Sequence, residues 1–324
     1  MAVKVFITID TEEDAWGDYK STQGTVENIK QLPLLQELFN RYGAIPTYLI
    51  NYPVATNPSS IKILSSFLEN NMCEIGTHCH PWNTPPFVED LNENNSMMCN
   101  LPLELVSEKM KNLHEVIEKN FNIKPVSFRA GRWGFNETVA KCLNELDYKI
   151  DTSISPFVDW RPYCGKNFVH GSTQPYYFTE EDIFKSDSNG SLMEVPPTIG
   201  FYQKNFQLCD LVKKTLSKPP FSKLRLLGIF DRLRLLNFHW LSPELSSGEE
   251  MVRLAKRFVN SGHQHLNMSF HSTSLLPGKS PFVKTEDDLK IFLNKIEIFL
   301  KYAAENDFDF LPLAEAINQL NVKR

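Results

Sequence analysis

Again and again along this chain a short apolar run stops at an acidic or imidazole side chain, and helical periodicity follows before the next run begins. Val5-Phe6-Ile7-Thr8-Ile9 ends in Asp10-Thr11-Glu12-Glu13-Asp14, and Cys73-Glu74-Ile75-Gly76-Thr77 ends in His78-Cys79-His80-Pro81-Trp82. Leu266-Asn267-Met268-Ser269-Phe270 ends in His271. Such alternation reads as βα units. Strands are expected at residues 3–9, 45–50, 73–77, 126–129, 148–151, 192–195, 266–270 and 309–311. Helices are expected at 26–42, 59–70, 103–120, 136–147, 248–260 and 286–306, with a last one at the C-terminus. The pattern predicts an α/β fold, a distorted (β/α) barrel of seven to eight strands. An open doubly wound sheet is the alternative, but no GxGxxG follows the first strand. With no internal repeat and no low-complexity linker, residues 1–324 read as one domain with an insertion at about 155–241.

Barrels of this kind keep their chemistry at the C-terminal ends of the strands. Those ends carry Asp10 and Glu12, then His78 and His80, then Arg129 with Gly131-Arg132-Trp133-Gly134, then Asp151, and finally His271. In an extended segment His78 and His80 share a side. Joined by Glu12 or Asp10, they make a two-histidine, one-carboxylate set suited to zinc or a similar ion. The bland readings are an acidic turn for residues 10–14 and a hydrogen-bonded core imidazole for His271. Histidines 114, 170, 239, 263 and 265 have no such company and read as structural or surface groups.

Composition narrows the classes. Apolar content of 42% and charged content of 23% suit a globular protein, and a net charge of -5 leaves no basic footprint for nucleic acid. Six cysteines (73, 79, 99, 142, 164 and 209) lack CxxC spacing and read as buried thiols. The first strand starts almost at Met1, so no signal peptide is expected and a cytoplasmic protein is the default. No apolar run is long enough for a membrane span. Residues 223–236 (KLRLLGIFDRLRLL) have the pattern of an amphipathic helix with a cationic face. That face either packs onto the body or touches a membrane surface or lipid-linked substrate.

Together the strand-end residues resemble carbohydrate esterase family 4, the NodB-type polysaccharide deacetylases. The likeness is greatest to the WalW-like branch associated with lipopolysaccharide biosynthesis. The resemblance runs from Thr8 to His271 and onward toward the C-terminal helix. It implies Asp10 as general base, Glu12, His78 and His80 as metal ligands, and Arg129 as the arginine that orients the base. Asp151 matches the acidic residue of the following motif, and His271 the general acid. Two positions depart from the family pattern: Glu12 stands where Asp is usual, and the histidines are spaced His-x-His rather than His-x-x-x-His, which weakens His80 most.

The implied reaction is amide hydrolysis of an N-acetylated sugar, free, nucleotide-linked or lipid-linked, in surface-polysaccharide assembly. It would be assisted by a divalent metal, Zn2+ first and Co2+, Ni2+ or Mn2+ as substitutes. A backbone N–H near Arg132 would help to hold the oxyanion, and Trp82, Trp133 and Trp160 would offer sugar-stacking faces, with core packing the alternative for each. Two competing readings remain: a metal-independent barrel glycoside hydrolase using Asp10, Glu12 or Asp151, and a non-catalytic sugar-binding member of the same fold.

Overall fold

The computed structural model describes residues 2–19, 24–219, 221 and 226–322. Eleven strands are found among them: β1 (Lys4–Thr11), β2 (Thr47–Ile50), β3 (Glu74–Cys79), β4 (Ser127–Ala130), β5 (Ile150–Asp151), β6 (Tyr176–Phe178), β7 (Leu192–Glu194), β8 (Ile199–Phe201), β9 (Phe238–Trp240), β10 (His265–His271) and β11 (Asp309–Phe310). Between them run α1 (Leu32–Arg41), α2 (Tyr52–Thr56), α3 (Pro58–Glu69), α4 (Leu103–Phe121), α5 (Glu137–Glu145), α6 (Phe206–Leu216), α7 (Leu226–Arg232), α8 (Gly248–Asn260), α9 (Glu286–Glu305) and α10 (Ala316–Gln319).

The main sheet runs β10-β1-β2-β3-β4-β5-β7-β6, parallel throughout except for β6, and β11 pairs with the start of β1. This is the expected distorted (β/α) barrel, curled but not closed: among the described residues no strand ladder joins β6 or β7 to β10. The gap is stitched instead by single contacts. Thr198 N–H donates to the Asn267 carbonyl (3.0 Å), Leu241 N–H to Thr198 (2.8 Å), and Ser269 N–H to Leu241 (3.1 Å).

Most predicted elements are in place, with informative shifts. The expected helix at 26–42 is a 3-10 turn over Glu27–Gln31 followed by α1, because Pro33 in the first turn of α1 has no N–H to continue the earlier turn. The strand expected to stop at Thr77 extends through His78 to Cys79. In the insertion the sequence reading missed β6 and the antiparallel β8–β9 pair, three-residue strands too short to display alternation. Of residues 223–236, positions 223–225 lie outside the described residues and the rest form α7 and the turn after it. All six cysteines are free and five are buried.

Register explains how the barrel is filled. On β1, Val5, Ile7 and Ile9 join the large apolar cluster shared with the surrounding helices, while Phe6, Thr8 and Asp10 face the interior. The base is plugged by Phe6, Ile150, Tyr177, Met193 and Val195 against Leu313 and Ala316 of the C-terminal segment. Above that plug lies a polar layer. Asn267 accepts from Thr8 Oγ1 (2.9 Å) and donates to Thr152 Oγ1 (2.9 Å) and the Val195 carbonyl (3.2 Å), all without solvent.

Replacing Asn267 with Leu would remove three buried hydrogen bonds, each contributing about 0.5–1.5 kcal/mol, while Thr8 Oγ1 keeps the Met268 carbonyl and Thr152 Oγ1 keeps the Val195 carbonyl. The expected outcome is an unfolding free energy lower by about 3 kcal/mol in total, read as a lowered urea midpoint with an unchanged m-value.

Candidate functional site

Parallel register sets the site out in pairs. Asp10 lies opposite His271 across β1 and β10, and His78 lies opposite Arg129 across β3 and β4. All four face the same cavity or the layer just beneath it. That cavity, of about 550 Å³, is lined by Asp10, Glu12, His78, His80 and His271 together with aromatic side chains.

Glu12, His78 and His80 bring one carboxylate oxygen and two imidazole nitrogens within 4.8 Å of one another, all buried. Glu12 Oε2 lies 3.5 Å from His78 Nε2 and 3.3 Å from His80 Nε2. His78 Nδ1 sits 3.0 Å from the Arg129 carbonyl, which can only accept, so Nδ1 carries the proton and Nε2 presents a lone pair. His80 Nδ1 faces Glu13 Oε2 at 3.5 Å, which favours the same tautomer. The two Nε2 atoms are only 2.8 Å apart. Two lone pairs at that separation repel unless a cation or proton lies between them, so the residues present fit a metal ion. His80, the least secure ligand by its spacing, stands with the other two.

The four carboxylates at the end of β1 and just beyond it have four separate tasks. Asp10 accepts from Arg129 Nη1 at 2.6 Å. Burial opposes its ionisation, but the guanidinium, His78 and His271 outweigh that and hold its pKa at about 2. Glu12, by contrast, is pushed up by burial to about 7. Glu13 accepts from Asn51 Nδ2 and from Trp82 Nε1 (3.1 Å), and despite burial the neighbouring His80 holds it at about 2. Asp14 anchors the following turn, accepting from Thr25 Oγ1 (2.7 Å) and from the backbone N–H groups of Glu27 (2.7 Å) and Asn28 (3.0 Å).

His271 lies 3.6 Å from Asp10 Oδ2 through Nε2, and its Nδ1 lies 3.0 Å from Glu244 Oε2. Glu244 also accepts from the His271 backbone N–H (3.1 Å) and from Ser274 Oγ (2.6 Å). Burial alone would depress the imidazole, yet Glu244, Glu12 and Asp10 raise it to about 10, so it is protonated at neutral pH.

Asp151 is a correction. It pairs with Phe128 rather than with Arg129, so it points away from the barrel interior, and it does not line the cavity. Its carboxylate accepts from Ser153 Oγ (2.6 Å) and Ser153 N–H (3.1 Å), while Ser153 Oγ receives the Ala130 N–H (2.8 Å). The inward residue at this level is Thr152, whose carbonyl accepts from Arg129 Nε at 3.1 Å.

All five tryptophans of the chain line this one cavity. Trp82 stacks on His80 (4.1 Å, 23°), and Trp16 meets His271 edge-on at 4.5 Å. Trp133 lies parallel to Trp160 at 6.2 Å, with Trp240 edge-on to Trp133 at 5.6 Å. Arg132 also lines the cavity, but its guanidinium is engaged by Ser96 Oγ and lies over the Tyr19 ring at 4.6 Å. The sequence reading missed Glu13, Glu244, Trp16 and Trp240. Glu13 was visible inside the acidic run, whereas Glu244 stands in an aperiodic segment with no signal of its own.

The remaining histidines are held elsewhere: His114 by Tyr148 and Glu118, His239 against Tyr202, and His263 by Thr173 and Phe258. His265 is buried at the barrel base, and His170 is exposed.

No protein-family model and no curated protein sequence matches the chain. Solved structures do. A protein from Mycobacterium smegmatis assigned as a polysaccharide deacetylase aligns over 99% of this chain and 92% of its own, with a TM-score of 0.53 and 15% identity. A Parabacteroides distasonis protein assigned as a glycoside hydrolase/deacetylase aligns over 97% and 70%, at 0.57 and 10%. A 4-alpha-glucanotransferase from Thermococcus litoralis aligns over 99% of this chain and 41% of its own, at 0.54 and 10%. At such identities the likeness is one of fold, and its bearers are assigned different reactions, so chemistry must be argued from the site.

Two outcomes are expected. At Gly131 an added Cβ would sit 2.3 Å from His80 Cδ2 and 2.6 Å from the Cys79 carbonyl. Gly131→Ala should therefore lower zinc affinity by roughly 10–100-fold, the range for displaced ligand support, with little change in circular dichroism; titration against a competing chelator reads it. Second, a Glu12 carboxyl with a pKa of about 7 must lose its proton to bind a cation. Zinc affinity should thus be flat above that pH and fall by about tenfold per pH unit below it, in the same titration.

Proposed function

We propose that this protein is a metal-dependent carbohydrate deacetylase acting on an N-acetylated sugar. The observation that carries the reading is one cavity in which a two-histidine, one-carboxylate set adjoins an ionised carboxylate and a protonated imidazole beneath an aromatic wall. A divalent ion held by Glu12, His78 and His80 would supply Lewis acidity, polarising the acyl carbonyl and acidifying water.

The protein's own groups have the protonation states that amide hydrolysis needs. Asp10, kept ionised by Arg129, takes the proton of the attacking water. Arg129 fixes its orientation. His271, charged and clamped by Glu244, delivers a proton to the departing amine. Trp133, Trp160 and Trp240 offer flat faces for the sugar. The fold likeness to proteins assigned as deacetylases supports the same reading.

A glycoside hydrolase with this fold would have no use for the paired imidazoles, and its two carboxylates would have to be free. Asp10 is already paired with Arg129, and Glu12 is shared between His78 and His80. A pure sugar-binding protein would not require a base, its orienting arginine and a charged imidazole together. The free cysteines suit a cytoplasmic setting, which belongs to the proposal, as does a role in surface-polysaccharide assembly.

The test is acetate release from a panel of N-acetylated sugars alongside elemental analysis. The wild type should hold about one equivalent of a transition ion, and His78→Ala and His80→Ala should each lose it. Chelation should abolish turnover, and Zn2+ or Co2+ should restore it. Asp10→Asn and His271→Ala should retain the metal yet lose about 10²–10⁴ in kcat. Turnover that survives chelation would sink the metal reading, and sugar binding without acetate release in any metal form would leave a binder.

A further inference from the structure

The insertion between β8 and β9 has a surface that the cavity chemistry does not use. Leu208 and Leu211 of α6, Phe221, Ile229 of α7, and Leu233 and Leu235 after it are each between 41% and 62% exposed. The inward residues of the same segment, Leu216, Leu226, Leu227, Phe230 and Leu236, form a small core with Phe201 and Cys209. The apolar side chains of the segment therefore divide into two sets: one holds the insertion together and the other faces solvent.

Charge on the segment is predominantly positive. Residues 204–234 contain eight basic and two acidic side chains in a chain whose net charge is -5, so the remainder of the protein is strongly acidic. Both acids are already engaged, Asp210 by Lys214 (2.6 Å) and Asp231 by Asn237 Nδ2 (2.7 Å). Lys204, Lys218, Arg232 and Arg234 are exposed and form no ion pair among the described residues. Leucines and isoleucine projecting from a field of lysine and arginine are what an anionic bilayer attracts: cations meet the headgroups and apolar side chains enter the acyl boundary. A second copy of the same face is disfavoured, because a two-fold contact would bring like charge against like charge.

The surface is mechanically tied to the cavity. Lys213 of α6 lies 3.5 Å from the centre of the Phe238 ring and donates to the Phe157 carbonyl at 3.1 Å. Two residues after Phe238 comes Trp240, and three after Phe157 comes Trp160, both on the cavity wall.

We propose that the exposed faces of α6, and of α7 with the turn after it, are a docking surface for an anionic phospholipid bilayer. Its purpose, bringing the cavity to a sugar carried on a lipid, rests on the deacetylase reading, but docking itself does not.

The experiment is co-sedimentation of the full-length protein with vesicles of phosphatidylglycerol and phosphatidylcholine, and with phosphatidylcholine alone, at low salt. Partition onto the anionic vesicles should exceed that onto the neutral ones by at least about tenfold and should fall as salt is raised. Leu208→Ser/Leu211→Ser/Leu233→Ser and Lys204→Glu/Arg232→Glu/Arg234→Glu, each checked for an unchanged unfolding midpoint, should lose about tenfold or more. Acetate release from a soluble sugar, measured in parallel, should be unchanged in both, so failure of the activity and failure of docking read separately. Equal binding by wild type and variants, or no binding to anionic vesicles, overturns the proposal. So does a dimer in light scattering that the leucine variant dissolves.

Discussion

A buried guanidinium holds this site together. Arg129 is almost wholly withdrawn from solvent, and burying an unpaired charge costs far more than one hydrogen bond returns. Its solution is to be satisfied from several strands at once: Asp10 Oδ1 (2.6 Å) and Thr8 Oγ1 (2.6 Å) from β1, and the Thr152 carbonyl (3.1 Å) after β5. Trp133 covers it at 5.1 Å. Because the arginine needs all of these partners, it fixes how the two sides of the barrel meet. The same bond that removes the cost of its burial keeps Asp10 charged.

The second dependence runs outward from His80. One of its nitrogens faces the ligand cluster, the other faces Glu13, and its ring is flanked by Trp82. The loop after it is tied down by Lys109 of α4, a fully buried lysine whose ammonium donates to the carbonyls of Pro81, Thr84 and Pro86 and meets Glu89 at 2.8 Å. An unusual histidine spacing is thus accommodated by a loop held on backbone carbonyls, a device that leaves no pattern in the sequence.

Much of the architecture was legible because parallel strands buried on both faces must be apolar on the helix side, and β1 and β10 show the alternation plainly. Asp10, Glu12, His78, His80 and His271 were legible because polar residues at the ends of apolar runs are conspicuous. Asp151 looked the same and was misplaced, since which face a residue takes depends on register, and nothing in residues 148–151 reveals that Asp151 pairs with Phe128. Glu244 was silent for another reason. It reaches His271 only because the chain at Leu241 is stitched beside Ser269, an arrangement made by single hydrogen bonds across an unclosed barrel.

The plug at the barrel base gives the cavity one open end. Beneath Asp10 lies the Thr8–Asn267–Thr152 layer, and beneath that the cluster of Phe6, Met193 and Leu313, so nothing can pass through the floor. What enters beside Asp10 must leave by the mouth through which it came.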